Sequence, residues 1–185
     1  MKGIIFQTFI HMMEKTFSIE MADEVMSAAT LETGGAYTTV GTYKYPEIIE
    51  MVGHLSERTG VPVPTLLCAF GKDLFTSFTR SNINHLENVN STFSLLKVLD
   101  NKIHVDVKKL YPDAELPSFE YSNSDPLVLI LVYRSQRPFA DLAEGLIRGA
   151  ISHFNESISL CRIDYPSQQG VHSRFTLTKT FDDNA

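Results

Sequence analysis

The spacing of apolar residues along the chain changes near Pro117. Before this residue, apolar side chains recur every three or four positions, as on one face of a helix. After it, short apolar runs at 118–121 and 127–133 flank a Ser-Asn-Ser-Asp-Pro turn, as in a β-hairpin. Helices followed by hairpins predict an α+β domain, in which a helical N-terminal lobe packs on a C-terminal lobe of helices and an antiparallel sheet.

The individual elements are predicted from this periodicity and from the turn residues between them. Helices are predicted at 3–17, 18–29, 47–59, 65–80, 91–110 and 139–154, and strands at 118–121, 127–133, 157–164 and 172–181. The Gly34-Gly35 pair and Gly60 end the second and third helices, and Pro112 ends the fifth. Residues 82–90 are polar and are predicted to form a loop.

The length and charge of the chain restrict its class. At 185 residues it fits one domain of two lobes, about 1–60 and 61–185, with room for a bound ligand. A formal net charge of −6, without a dense Lys/Arg face, disfavours nucleic acid as a partner. Cys68 and Cys161 lack the spacing of a disulfide framework or of a cysteine metal site.

The N-terminal segment begins apolar but is interrupted by His11, Glu14 and Lys15. No small-residue cleavage site follows it, so we expect neither a signal peptide nor a membrane span. Ile5 and Phe9 lie one turn apart on the apolar face of its predicted helix and can line the same pocket. A cytoplasmic protein is therefore expected.

The stretch 91–117 carries His104 near its middle. Six apolar residues at spacings of three and four lay a stripe along the predicted helix, namely Phe93, Leu96, Leu99, Ile103, Val107 and Leu110. On this helix His104 lies at the edge of the stripe, almost in line with Phe93, so its imidazole would face a pocket wall. A lone histidine in such a place is usually structural, and only partners elsewhere in the chain favour a ligand role.

Gly71 lies in the middle of the fourth predicted helix, where glycine costs about 1 kcal/mol relative to alanine. Two interpretations account for it. Either the helix bends at this residue, or another backbone packs closely against it. The sequence gives them equal weight.

A short polar motif follows the apolar strand at 127–133. Strand alternation places Tyr133, Ser135 and Arg137 on one side, with Arg134 and Gln136 on the other. Two hydroxyls and a guanidinium on one side can bind a carboxylate, because arginine donates two parallel hydrogen bonds. Taken alone, the motif is equally typical of a polar strand end.

Five segments together resemble the haem nitric oxide/oxygen binding (H-NOX) family, which includes the haem domain of soluble guanylate cyclase. They are MKGIIF at the N-terminus, AFGKDLF around Gly71, KIHVDVKKLYPDAELPSF around His104, YRSQR from Tyr133 and LAEGLIRGA from Leu142. The similarity covers essentially the whole chain, with the segments in the family's order.

The resemblance implies a haem b cofactor buried between the two lobes. His104 matches the proximal ligand of the haem iron. Tyr133, Ser135 and Arg137 match the triad that binds the haem propionates, and Pro117 matches the proline that presses on the porphyrin and distorts it. These roles agree with the chemistry, because imidazole is a common axial ligand of haem iron.

The resemblance also predicts which gas is bound. In oxygen-binding members, a tyrosine five residues past the arginine of the triad donates a hydrogen bond to bound oxygen. The matching residue here is Leu142, with Phe9 and Leu74 as neighbours, and none of these is a donor. The other residues expected to line the pocket are Ile5, Phe78 and Leu146. We expect a sensor that binds nitric oxide and carbon monoxide at ferrous iron but does not hold oxygen.

By similarity to the family, nitric oxide breaks the bond between the iron and His104 and leaves a five-coordinate nitrosyl. The two lobes then rotate against each other, with Gly71 as the hinge. No output domain follows the last predicted hairpin, so the signal is expected to leave through a surface. A histidine kinase or a cyclic-di-GMP enzyme acting in trans is the expected partner, and the chain itself is not expected to be an enzyme.

Several alternatives remain: an oxygen-binding haem protein or redox sensor, a haem enzyme, and a non-haem α+β interaction module. The apolar distal positions disfavour an oxygen carrier or a haem enzyme. Some family members carry a zinc cluster, but Cys161 and His172 are the only soft ligands in that region, so zinc is not expected. The remaining histidines, His11, His54, His85 and His153, are expected to be solvated or structural.

Overall fold

The structure, a computed structural model, describes residues 1–81 and 89–180, with only the backbone at 80 and 81. Its helices are α1 (Gly3–Thr16), α2 (Ile19–Ala28), α3 (Pro46–Thr59), α4 (Val63–Ser81), α5 (Thr92–Lys97), a π-turn (Leu99–Ile103), α6 (His104–Leu110) and α7 (Ala140–His153). Its strands are β1 (Ser118–Asp125), β2 (Val128–Ser135), β3 (Ile158–Tyr165) and β4 (Val171–Lys179). The predicted α+β class is confirmed. His85 and most of the predicted loop at 82–90 lie outside the described residues.

The ends of the first helices follow the chemistry of their capping residues. Ser18 caps α2, because its hydroxyl accepts a hydrogen bond from the Met21 amide at 3.1 Å. Pro46 opens α3, where its missing N–H costs nothing. Gly60 ends α3 with a φ of 70°, a left-handed conformation that favours glycine. These bounds lie within a residue or two of the predicted ones.

The single helix predicted over 91–110 is wrong. The segment is divided into α5, the π-turn and α6. A hydrogen bond of a π-helix spans one residue more than a hydrogen bond of an α-helix. This extra residue rotates α6 relative to α5. The apolar stripe is therefore broken, and Leu110, predicted to lie on it, exposes 67% of its surface.

The four strands form one antiparallel sheet in the order β1-β2-β4-β3. The predicted turn at 122–126 is too long, since β1 continues to Asp125 with an irregularity in register after Ser122. The side-chain amide of Asn123 donates to the carbonyl oxygens of Asp125 at 2.6 Å and of Val128 at 2.7 Å. These bonds let the strand continue past the break in register.

Two apolar clusters form the core. The first joins buried residues of α1 to α4 with Phe139 and Leu142, and the second joins α5, α7 and the inner face of the sheet. The inner face is supplied by alternate strand residues, namely Leu129, Leu131, Tyr133, Phe175 and Leu177. The lobe division at residue 60 stays a prediction, and α4, just beyond it, packs into the first cluster through Leu66, Leu67, Phe70 and Leu74.

Helices α4 and α7 approach closely because glycines face each other at their crossing. A β-carbon added to Gly145 would lie 2.8 Å from the Cα of Gly71, and one added to Gly149 would lie 2.8 Å from the Cβ of Phe75. Side chains at these positions would push the helices apart. Since α7 contributes to both apolar clusters, this crossing joins the helical part of the molecule to the sheet.

Candidate functional site

His104 is the first residue of α6, immediately after the π-turn. Its side chain is 19% exposed, and its Nδ1 atom lies 2.8 Å from Oδ1 of Asp100. Burial lowers the pKa of His104, and the hydrogen bond and charge of Asp100 act in the opposite direction without reversing the shift. When Nδ1 donates to Asp100, the lone pair of Nε2 is available to a metal.

The Asp100 carboxylate also reaches the sheet. Its Oδ2 atom accepts a hydrogen bond from the backbone amide of Phe119, in β1, at 2.7 Å. The ring of Phe119 lies 5.7 Å from the ring of His104 and 5.3 Å from that of Tyr133. Asp100 was not among the site residues predicted from the sequence, although its position four residues before His104 was a usable signal.

An open cleft of about 670 Å³ brings His104 and Pro117 together. Its walls are formed by the π-turn and α6 on one side and by the segment from Leu116 to Ser118 on the other. The predicted proximal ligand and the predicted distorting proline therefore share one cavity. The residues predicted for the distal side do not line it.

The motif at the end of β2 is arranged as strand alternation predicts. Tyr133 is 2% exposed, and the Ser135 hydroxyl accepts a hydrogen bond from the amide of Arg137 at 3.0 Å. Burial raises the pKa of Tyr133, while its hydrogen bond with Ser135 and the charge of Arg137 oppose that rise. Arg134 faces the other way and pairs with Glu120 on β1 at 2.7 Å.

Arg137 already binds a carboxylate. Its side chain is 13% exposed, and its guanidinium pairs with Glu115 at 2.5 Å and lies over the ring of Tyr45 at 5.6 Å. The hydrogen bond from Arg137, with its charge, holds the pKa of Glu115 below its usual range. Glu115 is 77% exposed, so a carboxylate from a bound ligand can exchange with it. The clamp thus fits a haem propionate, as the His104 imidazole fits the iron.

The predicted distal residues divide into two groups. Phe9, Leu74 and Leu142 are buried in the first apolar cluster, and Ile5 and Leu146 pack against it. Phe78 lies apart from them, since it is 36% exposed. Along α4 the first apolar cluster extends only to Leu74, one turn before Phe78. The grouped side chains are all hydrocarbon, so none can donate a hydrogen bond to a gas molecule.

The structure also locates the residues considered for a second metal. Cys161 on β3 pairs with Thr176 on β4, four residues along the strand from His172. Within 1–81 and 89–180, no group of three or more His, Cys, Asp or Glu residues is placed to hold a metal ion. None of the helices in these same ranges is long and apolar enough to cross a membrane.

Comparison with known proteins identifies the family and the fold. A family model described as Haem-NO-binding matches residues 2–161. The fold resembles the Fe(II) unliganded H-NOX protein from K. algicida, with a TM-score of 0.92 and 31% identity over 100% of both chains. It also resembles IWP-051-bound H-NOX from Shewanella woodyi in the Fe(II)CO state, with a TM-score of 0.83 and 33% identity over 100% of this chain and 99% of that one.

A third likeness concerns the fold alone. An H-NOX protein from S. oneidensis in the Fe(II)NO state has a TM-score of 0.89 and 24% identity, covering 98% of this chain and 100% of that one. No curated protein sequence matches the chain. The fold and the match to the family define a haem-based gas-sensor domain. The chain belongs to the H-NOX family, which is a family of haem-binding sensor domains rather than of catalysts.

Proposed function

We propose that this chain binds haem b through His104 and senses nitric oxide. The observation that carries the proposal is the setting of His104: a mostly buried imidazole whose Nδ1 atom lies 2.8 Å from the Asp100 carboxylate. A carboxylate on the far ring nitrogen is the usual arrangement of a metal-ligating histidine. When bound, the haem supplies a ferrous iron with one open face for the gas.

The other predicted residues act on the haem as a whole. Tyr133, Ser135 and Arg137 would bind the propionates, and the exposed Glu115 side chain would give up its place on Arg137 to one of them. Pro117 presses on the porphyrin from the cleft that it shares with His104. These contacts hold the cofactor in one orientation, so that His104 faces the iron.

The selectivity of the sensor comes from the apolar distal side. A hydrogen-bond donor on the distal side would stabilise oxygen at a ferrous haem, whereas nitric oxide and carbon monoxide would bind without one. Phe9, Leu74 and Leu142 offer no donor and leave little room for ordered water. This side therefore favours nitric oxide and carbon monoxide over oxygen. The same lack of a polar group disfavours peroxidase chemistry.

The signal starts at His104. If His104 were released from the iron, α6 would be free to move, and the helical lobe would rotate against the sheet-containing lobe, with Gly71 as the hinge. For this movement to be allosteric, the gas must favour one lobe arrangement over the other. A histidine kinase or a cyclic-di-GMP enzyme in the cytoplasm reads the change in trans.

The test is substitution of His104 by glycine, followed by rescue with imidazole. We expect the His104→Gly protein to lose haem during purification and to retain it when imidazole is supplied, because free imidazole can fill the same place. The control is His54→Gly in α3, since His54 pairs only with a neighbouring glutamate, Glu57, in the described contacts. Retention of haem by His104→Gly without imidazole would contradict the proposal.

Two alternatives are separated by simple observations. An oxygen-binding haem protein or redox sensor would form a stable oxygen complex or change its iron oxidation state in air. A non-haem interaction module would be colourless and would not take up added haem. The apolar distal side disfavours the first alternative. The His104 site and the match to a haem-binding family disfavour the second.

A further inference from the structure

We infer that Asp100 is the positioning residue of the axial ligand and that it couples His104 to strand β1. This inference rests on the proposed role of His104 as the iron ligand. The contacts that carry it lie behind that ligand, on the side away from the haem, and join residues of the protein itself.

Both oxygens of the Asp100 carboxylate are engaged, in two different elements. Oδ1 lies 2.8 Å from His104 Nδ1, and Oδ2 accepts the Phe119 amide hydrogen at 2.7 Å. The side chain is 33% exposed, so both bonds are partly shielded from water. One carboxylate therefore connects α6 to β1.

The bond to Nδ1 fixes the chemistry of the imidazole. A histidine that donates from Nδ1 presents the lone pair of Nε2, and a carboxylate acceptor increases the basicity of that nitrogen. The bond also fixes the rotation of the ring. Without it, the neutral ring could adopt either tautomer, and Nε2 would point at the iron for only part of the time.

The contact between the Asp100 carboxylate and the His104 ring lies on the π-turn. In this turn the amide of Ile103 bonds to the carbonyl of Val98 at 3.2 Å, and the amide of His104 bonds to that of Leu99. The wider turn leaves Asp100 in reach of both His104 and β1. Since π-turns cost helix stability and occur at functional sites, this one has a use in positioning His104.

The bond to Phe119 gives the movement of His104 a direction. Phe119 lies two residues after Pro117 and pairs across the sheet with Tyr133, a member of the propionate clamp. When His104 leaves the iron, Asp100 keeps it attached to β1. Displacement of α6 is then transmitted to the edge strand of the sheet and to the segment that carries Pro117.

The experiment compares Asp100→Asn and Asp100→Ala with the wild type as reduced, gas-free holoprotein. Resonance Raman spectroscopy reports the stretching frequency of the iron–histidine bond. We expect a lower frequency in both variants, because neither supplies the charged acceptor that makes the imidazole a strong donor. Haem transfer to apomyoglobin should be about 10- to 100-fold faster, the usual effect of removing such a partner.

A second readout follows the other bond of Asp100. Hydrogen exchange of the Phe119 amide should be faster in Asp100→Ala than in the wild type, because its acceptor is gone. The matched control is Asp106→Asn. Asp106 lies in α6, the helix of His104, and its carboxylate pairs with Lys109 at 2.9 Å. It should leave both the frequency and the Phe119 exchange unchanged.

The outcomes are distinct. Wild-type frequency and wild-type Phe119 exchange in the Asp100 variants would overturn the inference while leaving His104 as the ligand. No iron–histidine band in the wild-type protein would overturn the proposed function itself. Asp100→Asn keeps the shape of the side chain, so the frequency test holds even where Asp100→Ala fails to fold.

Discussion

Gly71 of α4 and Gly145 of α7 meet backbone to backbone. A β-carbon added to Gly71 would lie 2.7 Å from the Cα of Gly145, and closer still to the carbonyl oxygen of Leu142. Real β-carbons essentially never approach other atoms this closely. The close packing explains why a glycine lies in the middle of a helix, and α4 continues unbroken through it. The role of Gly71 as a hinge stays a prediction.

The packing of Gly71 predicts that its substitution by alanine destabilises the protein. Alanine is the better helix former by about 1 kcal/mol. The forced separation of α4 and α7 should outweigh this gain and leave a net destabilisation of about 1–3 kcal/mol. The control is Gly53→Ala in α3, where a β-carbon meets no atom within 4 Å. It should stabilise by about 0.4–1 kcal/mol. Urea denaturation measures the free energy of unfolding of both variants. Equal stabilisation by Gly71→Ala and Gly53→Ala would show that the crossing of α4 and α7 tolerates a side chain.

The proposed hinge at Gly71 is tested by measuring the angle between the two lobes. If release of His104 lets the lobes rotate about Gly71, the wild type and His104→Gly should differ in lobe angle. Solution scattering or crystal structures of the two proteins measure that angle. Identical lobe angles would contradict the hinge.

The clamp predicts that two neighbouring arginines differ in their effect on haem. Arg137→Ala should weaken haem binding about 10- to 100-fold, because a charge-assisted hydrogen bond contributes about 1.5–3 kcal/mol. Arg134→Ala should have little effect, since Arg134 pairs with Glu120 on the other side of the strand. Haem transfer rates to an excess of apomyoglobin measure both. Equal losses would mean that Arg137 does not bind a propionate.

The distal pocket predicts that one hydroxyl changes the gas selectivity. Leu142→Tyr should form an oxygen complex in air that is stable enough for its absorption spectrum to be recorded, because the phenol supplies the missing donor. The larger side chain should cost about 1–3 kcal/mol of stability at this buried position. Leu142→Phe, which adds the ring without the hydroxyl, is the control. An oxygen complex in both variants would show that ring size, rather than hydrogen bonding, decides the outcome.

The parts of the fold that follow local rules could be predicted from the sequence. Strand alternation separated Tyr133 from Arg134, and capping residues such as Ser18 and Gly60 gave the helix ends. The π-turn could not be predicted, because the apolar spacing of 91–110 suits an uninterrupted helix. Its interruption coincides with the bond from Asp100 to the amide of Phe119, a tertiary contact that no spacing rule shows.

In the candidate site, too, only some of the residues could be predicted from the sequence. Residues with distinctive chemistry, such as His104, were found through their motifs and the family resemblance. Glu115 was not, because its bond to Arg137 joins two loops that are distant in sequence. The place of Phe78 in the pocket stays a prediction, since it is 36% exposed and lies outside the apolar cluster that holds the other distal residues.

The most direct measurement is the absorption spectrum of the reduced protein, before and after nitric oxide and, separately, after air. We predict a haem band that moves with nitric oxide to the position typical of iron without its axial histidine and that oxygen leaves unchanged. That result would establish the cofactor, the labile bond to His104 and the gas selectivity together. A colourless protein that cannot be reconstituted with haem, or a stable oxygen complex, would contradict the account.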